Sequence, residues 1–303
     1  MTRFSLVETD TFFVDAAGAS TIGRTRKTNQ DQFLVASLEQ DGLRARSTTL
    51  PMPCEASATP ARATILMVAD GMGGSRGGAE ASRAALEAVA GYLRRDDPVA
   101  TSDPRDSLFG LRATMAGALR EGQAAVEHAA AETHQPRMGT TLTVGYIVGD
   151  RLYVGHVGDS RCYLARAGRL TQLTSDHTVA EQMKAICGES LDPDSPYHHV
   201  LWNALTATGI SKLEPELRRT HLSQGDAVLL CSDGLTNHVT DTELLERVLK
   251  QEPSSETAAG LLELANSRGG RDNITAVVAR VLAPAREEVS SHRGEHPHVV
   301  AVS

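Results

Sequence analysis

Six mostly apolar residues, Thr64 to Ala69, end on a carboxylate, Asp70, and Gly71, Gly73 and Gly74 follow at once. A short apolar run bounded in this way reads as a buried strand, and the glycines deny the chain regular structure just beyond it. Asp70 therefore stands at a strand's end. The arrangement recurs in AVLLCSDGL (227–235) with Asp233 and in RLYVGHVGDS (151–160) with Asp159, while in GGRDNITAVVARV (269–281) Asp272 directly precedes an apolar run. One such aspartate alone serves a turn or a helix N-cap. Four of them converge only where a cation neutralises them, because like charges a few ångströms apart repel in a partly desolvated site. Carboxylates, carbonyls and water are ligands for Mg²⁺ or Mn²⁺ rather than for zinc or copper.

The chain of 303 residues is long enough to bury a substantial core. Aromatic residues make up 4% of it, the net charge is −8, and no stripe of Lys and Arg follows any segment, so nucleic acid is not an expected partner. No apolar run approaches the ~20 residues of a membrane span. The N-terminal MTRFSLVETDTFFVD carries three acids and no hydrophobic region of a signal peptide. Cys54, Cys162, Cys187 and Cys231 lie far apart without a CxxC pair, which fits reduced thiols rather than a zinc or disulfide framework. The expectation is a cytoplasmic monomer that does not engage a membrane.

Strands are expected within 4–22 and at 32–38, and residues 39–62, rich in Ser, Thr, Pro and Ala, read as a long surface connection. Segments 77–95 and 106–132 have helical composition and spacing. From residue 139 the pattern changes to strands, with hairpin turns at Gly149-Asp150 and Ala167-Gly168, so an antiparallel meander is expected. Residues 175–212 are irregular apart from a short helix at 178–187. Adjacent His198 and His199 invite a metal reading, but neighbours on a loop diverge and no cysteine or carboxylate stands at ligand spacing. Further strands at 216–222, 226–232 and 273–282 and helices at 241–251 and 255–268 complete an α+β pattern rather than alternating βαβ units.

An all-oxygen cluster holding two close metals suits attack on phosphorus, with a metal-bound hydroxide as nucleophile. The basic turn GRTRKTNQD (23–31) offers an arginine whose guanidinium binds phosphate oxygens bidentately. At these residues the chain resembles the metal-dependent type 2C serine/threonine phosphatases, the PPM family, in its bacterial branch. The stretches that carry the resemblance are RKTNQD (26–31), VADGMGG (68–74), GTT (139–141), VGDSR (157–161), LTSDHT (173–178), GDAVLLCSDGL (225–235) and RDNIT (271–275), in family order along nearly the whole chain.

The resemblance implies a sandwich of two antiparallel β-sheets flanked by helix pairs, α-β-β-α, with the metals at one end. It implies that Asp70 bridges two Mg²⁺ or Mn²⁺ ions, that the Gly71 carbonyl ligates the first, that Asp233 and Asp272 ligate the second, and that Asp159 with Asp233 holds a third. Arg26 matches the phosphate-binding arginine, with Arg24 and Lys27 beside it read as solvated. Asp31 matches an acid that orients metal-bound water, and Asn273 reads as a supporting residue. Met72 stands where some family members carry a histidine proposed as general acid, which leaves the proton donor unassigned. Residues 1–283 read as one phosphatase domain with an insertion at about 39–62, a flap at about 175–212 and a mobile tail at 284–303. The implied function is hydrolysis of phosphoserine and phosphothreonine in proteins phosphorylated by a bacterial serine/threonine kinase. Two alternatives share the motifs: a catalytically silent phosphoprotein-binding relative, which loss of a metal-ligating aspartate would have favoured, and a hydrolase of small phosphate esters.

Overall fold

The computed structural model describes residues 13–40, 42–51, 61–95, 107–192, 194–208 and 213–282. Strands β1 (Phe13–Thr21), β2 (Gln32–Glu39), β3 (Gly42–Thr48) and β4 (Ala63–Ala69) open the fold, and the two-residue β5 (Gly71–Met72) leads into helices α1 (Ser75–Arg95) and α2 (Ser107–Thr133). The short β6 (Gly139–Thr140), then β7 (Leu142–Val148), β8 (Arg151–Val157), β9 (Arg161–Arg166) and β10 (Arg169–Gln172) follow. Next come α3 (Val179–Cys187), a 3₁₀ turn at Pro196–His199 and β11 (Leu205–Thr206). The chain continues through β12 (Glu216–His221), β13 (Ala227–Cys231), the one-turn α4 (Asp233–Thr236), α5 (Asp241–Val248), α6 (Ser254–Ser267) and β14 (Ile274–Leu282).

Two antiparallel sheets result, one ordered β1-β14-β13-β9-β10 and the other β12-β8-β7-β4-β2-β3, with a small ribbon β11-β6-β5 beside them. Side chains alternate across a strand, and here both faces of the central strands are apolar, so each strand feeds two cores. In β2, Phe33 and Val35 face the other sheet together with Leu66 and Val68 of β4 and Val277 of β14. The intervening Leu34, Ala36 and Leu38 pack with Ile65 and Met67 against Leu86, Val89 and Leu93 of α1 and Met115, Leu119 and Val126 of α2. On the far side Leu229, Cys231, Ala276 and Val278 bury Leu244 and Val248 of α5 and Leu261 and Ala265 of α6. The outcome is the expected four-layer α-β-β-α sandwich. Cutting one of these fully buried leucines back to alanine costs about 2–5 kcal/mol.

Two expectations change. Part of the 39–62 connection forms β3, an edge strand paired with β2. Its sequence, GLRARST, does not alternate clearly, because only Ala45 is fully buried while Arg44 and Arg46 reach back to the buried carboxylate of Glu39 at 3.0 and 2.8 Å. The meander is also broken. Hairpins β7-β8 and β9-β10 form as expected, but β8 and β9 belong to different sheets, and β9 pairs with β13 instead. Gly158, at φ 107, lets the chain turn out of one sheet, and Asp159 and Ser160 carry it to the other. Residues 4–12 of the opening segment, residues 52–60 of the connection, Cys54, residues 209–212 and the 284–303 tail lie outside the described residues. Among the described residues no helix is long and apolar enough to cross a membrane.

Candidate active site

Each of the four aspartates stands where a strand of the sandwich begins or ends, and all four line one cleft of about 1140 Å³ together with Arg26, Gly71 and Met72. Asp70 follows β4 and is fixed through its backbone by the GTT stretch. Its N–H donates to Thr141 Oγ1 at 2.9 Å, and its carbonyl accepts from the Thr141 N–H and from Thr140 Oγ1, both at 2.9 Å. Thr141 Oγ1 also meets Ser160 Oγ at 2.7 Å, which ties the Asp70 strand to the sheet crossing that carries Asp159. Asp233 opens α4, and Asn237 Nδ2 donates to its Oδ2 at 3.1 Å. Only glycine can follow it, since a Cβ at Gly234 would lie 1.9 Å from the Asn273 carbonyl oxygen.

Burial and like charge act together on three of these acids. The half-buried Asp159 is pushed up to about 7, first by loss of water and then by the charges of Asp233 and Asp176. Asp70 is raised well above the ordinary carboxylate range by the same loss of water, with the like charges of Asp31 and Asp233 adding to it. Asp233 is raised by desolvation and by Asp272, an effect partly offset by hydrogen bonds to the Asp70 carboxyl and to Asn237. Two carboxyl groups can hydrogen-bond to each other only while one of them holds a proton.

Asp31, just before β2, is buried. Ser232 Oγ and Thr275 Oγ1 each donate to its Oδ2 at 2.7 Å, while Oδ1 has no partner among the described residues. Burial pushes this carboxyl up to about 7 against the pull of those two hydroxyls. Arg26 Nη2 rests 2.6 Å from Asp272 Oδ2 with half of its side chain in solvent. That hydrogen bond, with the fields of Asp70 and Asp233, raises the guanidinium pKa. Asn273 holds the turn that carries Arg26, accepting the Gln30 N–H and donating to the carbonyls of Ile22 and Thr28.

Lys27 is exposed, in keeping with its reading as solvated, and it also lines the cleft. His199 lines it too, a placement that the adjacent-histidine argument did not anticipate. The hydroxyls of Thr140, Thr141, Ser232 and Thr275 carry the positioning bonds and escaped notice as single residues. A histidine spacing of 21 residues also concealed a buried group, His156, His177 and Glu216, whose nitrogen and oxygen atoms lie within 4.8 Å of one another. Its hydrogen bonds oppose a metal there. His156 Nε2 faces the Ser175 carbonyl at 3.2 Å and so carries the proton, with Nδ1 taking the Thr143 hydroxyl. His177 Nδ1 accepts N–H groups from Gly158 and Asn203, which leaves its proton on Nε2 toward Glu216. Burial pulls His156 down to about 4 and lowers His177, so both rings stay neutral near pH 7. They fasten Ser175, Trp202 and Asn203 of the cleft-bordering segment to β8.

A four-layer sandwich with an oxygen-only cluster at one pole is the architecture of the metal-dependent phosphatase class. The family model for protein phosphatase 2C matches residues 53–272. The serine/threonine protein phosphatase PstP of Mycobacterium tuberculosis is 37% identical over 227 residues, covering 73% of this chain and 41% of that protein. The serine/threonine phosphatase stp of Listeria monocytogenes is 35% identical over 217 residues, 71% of this chain and 83% of that protein. A crystal structure of M. tuberculosis PstP matches with a TM-score of 0.69 at 33% identity, covering 89% of this chain and 99% of that one. The PstP catalytic domain in complex with two manganese ions matches at 0.68 and 33%, covering 90% and 100%. The chain belongs to the protein phosphatase 2C family. It spans less than half the length of full PstP, 41%.

Proposed function

We propose that the chain is a Mg²⁺- or Mn²⁺-dependent protein serine/threonine phosphatase, acting as a cytoplasmic monomer on bacterial proteins phosphorylated by a serine/threonine kinase. The observation that carries this reading is the meeting of Asp70, Asp159, Asp233 and Asp272 in one cleft beside Arg26. The donor set suits hard cations: the side-chain donors are carboxylate oxygens, loss of water and then like charge raise Asp70, Asp159 and Asp233, and buried Asp31 Oδ1 lacks a partner among the described residues. Asp70, the Gly71 carbonyl, Asp233 and Asp272 would hold two ions, and Asp159 with Asp233 a third. The two manganese ions of the PstP domain support the count of two. Such ions supply positive charge that activates water and stabilises charge developing on the phosphoryl oxygens.

The chain's own groups bind and orient. Arg26 stands at the cleft on a turn that Asn273 immobilises, so its fork of N–H donors is held ready for phosphate oxygens. Asp31, locked through Oδ2 by two hydroxyls, presents Oδ1 as the acceptor that orients an attacking water. Met72, in the same cleft, has no proton to give. Residues up to 283 are read as one domain, with the 175–208 segment bordering the cleft and influencing which peptides enter.

The test is phosphate release from a phosphothreonine peptide with Mn²⁺, with and without excess EDTA, beside a panel of small phosphate esters. Full activity in EDTA would sink the metal assignment. Turnover of the small esters with none of the peptide would favour a small-ester hydrolase instead.

A further inference from the structure

The cleft wall carries positive charge that binding one phosphate does not use. Apart from the four aspartates, the charged or titratable residues lining it among the described residues are Arg26, Lys27, Arg137 and His199. No glutamate is among the described lining residues. Outside the aspartate cluster the wall thus has the opposite sign to the chain as a whole, whose net charge is −8. Arg26 is engaged by Asp272, but Lys27 and Arg137 are exposed and form no ion pair among the described residues.

Arg137 stands on a turn whose backbone is fixed. The Gln135 N–H bonds the Ala130 carbonyl at 3.0 Å, and the Met138 N–H bonds the Gln135 carbonyl at 3.1 Å. Met138 is buried, and the next two residues, Gly139 and Thr140, pair with Met72 and Gly71 beside Asp70. The Arg137 carbonyl packs so closely on Gly73 that a Cβ there would lie 2.2 Å from it. A long cation on a fixed base two residues from that pairing can meet side chains flanking a residue bound at the aspartates. Lys27 offers a second such cation from the separate loop that carries Arg26.

The geometry points to Arg137, assisted by Lys27, as the determinant of which phosphopeptides enter: those with Asp or Glu near the phosphorylated residue, in preference to those flanked by Lys or Arg. This rests on the phosphatase reading above. A basic flank meets like charge on the Arg137 and Lys27 side of the cleft, whose described lining offers no carboxylate outside the aspartate cluster, the acids Asp176 and Glu181 belonging to the adjoining pocket past Asp159. Exposed pairs of this kind are individually weak and screened by salt. Two of them predict a discrimination of roughly tenfold between acidic and basic flanks at low ionic strength, shrinking as salt is added.

The test uses the full chain with Mn²⁺ and three phosphothreonine peptides differing only in acidic, neutral or basic flanks. The kcat/KM values should rank acidic above neutral above basic, with the difference in KM. Arg137→Glu should abolish or invert the ranking and Arg137→Lys should keep it. Arg120→Glu, the same charge change on an exposed position of α2 outside the cleft lining, should leave it intact. Equal turnover of the three peptides, or a ranking that survives Arg137→Glu, overturns the assignment while leaving the phosphatase reading standing. Hydrolysis of a small aryl phosphate with no turnover of any peptide would remove both.

Discussion

Asn273 Oδ1 accepts the backbone N–H of Gln30 at 2.8 Å across 243 residues of chain. With its Nδ2 on the Ile22 and Thr28 carbonyls at 3.0 Å each, this one amide welds the Arg26 turn to the start of β14, next to Asp272.

Asn273→Ala leaves these backbone groups without their partner, and each buried group so stranded costs about 1–3 kcal/mol. The variant should lose roughly 2–3 kcal/mol in denaturant unfolding, and its kcat/KM should fall even where it remains fully folded. Unaltered activity in the folded variant would show that other contacts hold the turn.

Stability without metal should depend on pH through the aspartates. Asp159 has an ordinary value of 3.8 and is pushed up to about 7 in the fold. A raised carboxyl stabilises the folded state below its unfolded value, and that contribution is lost as pH rises toward the folded one. In EDTA, Asp159→Asn should therefore melt higher than the parent at pH 8, with the gap closing as pH falls from 7 toward 4. His156, drawn down to about 4, has the opposite sign between its folded value and the ordinary 6.5, so the difference between the two proteins isolates Asp159. A gap independent of pH would mean that Asp159 does not titrate in this range.

Arg26→Ala should raise KM for a phosphopeptide and weaken inhibition by inorganic phosphate. Charge-assisted hydrogen bonds are worth about 1.5–3 kcal/mol when desolvated. The half-exposed position of Arg26 places the effect near the low end, roughly tenfold. Arg24→Ala is the control, because its backbone N–H on the Gly270 carbonyl survives the change. Lys27, which lines the cleft, is not a neutral control. Parallel losses at Arg24 and Arg26 would point to a general electrostatic effect instead of a phosphate contact.

Met72 should show in leaving-group chemistry. A thioether donates no proton, so a poor leaving group must draw one from water or another side chain, whereas an activated aryl oxide departs without help. Across a series of aryl phosphates kcat should fall steeply as leaving-group pKa rises, and Met72→His should flatten the slope. Equal slopes without a pre-steady-state burst would show that the position does not serve the leaving oxygen.

The carboxylates were legible because each closes or opens a strand beside a glycine or a turn, a local signal that needs no knowledge of the partner strand. Their supports were not. Thr141 and Asp70 are 71 residues apart, and Ser232 and Thr275 serve an Asp31 more than 200 residues distant, so nothing in either neighbourhood announces the bond. The step from β8 to β9 is not legible for a related reason: alternation looks the same whether consecutive strands form a hairpin or part into two sheets. The edge strand β3 hid behind Arg44 and Arg46, whose long side chains turn back to one buried glutamate instead of marking a solvent face.

The acids come from both halves of the sandwich: Asp31 and Asp70 from strands of one sheet, Asp233 and Asp272 from strands of the other, with Asp159 on the bridge between them. No fragment holding a single sheet can assemble them. Cation affinity would then double as a gauge of closure, because parting the sheets dismantles the ligand set. Ions at a hundredfold excess over their dissociation constant would oppose that parting by about 2.7 kcal/mol per site, acting as a fastener at the one pole where the carboxylates otherwise push the layers apart.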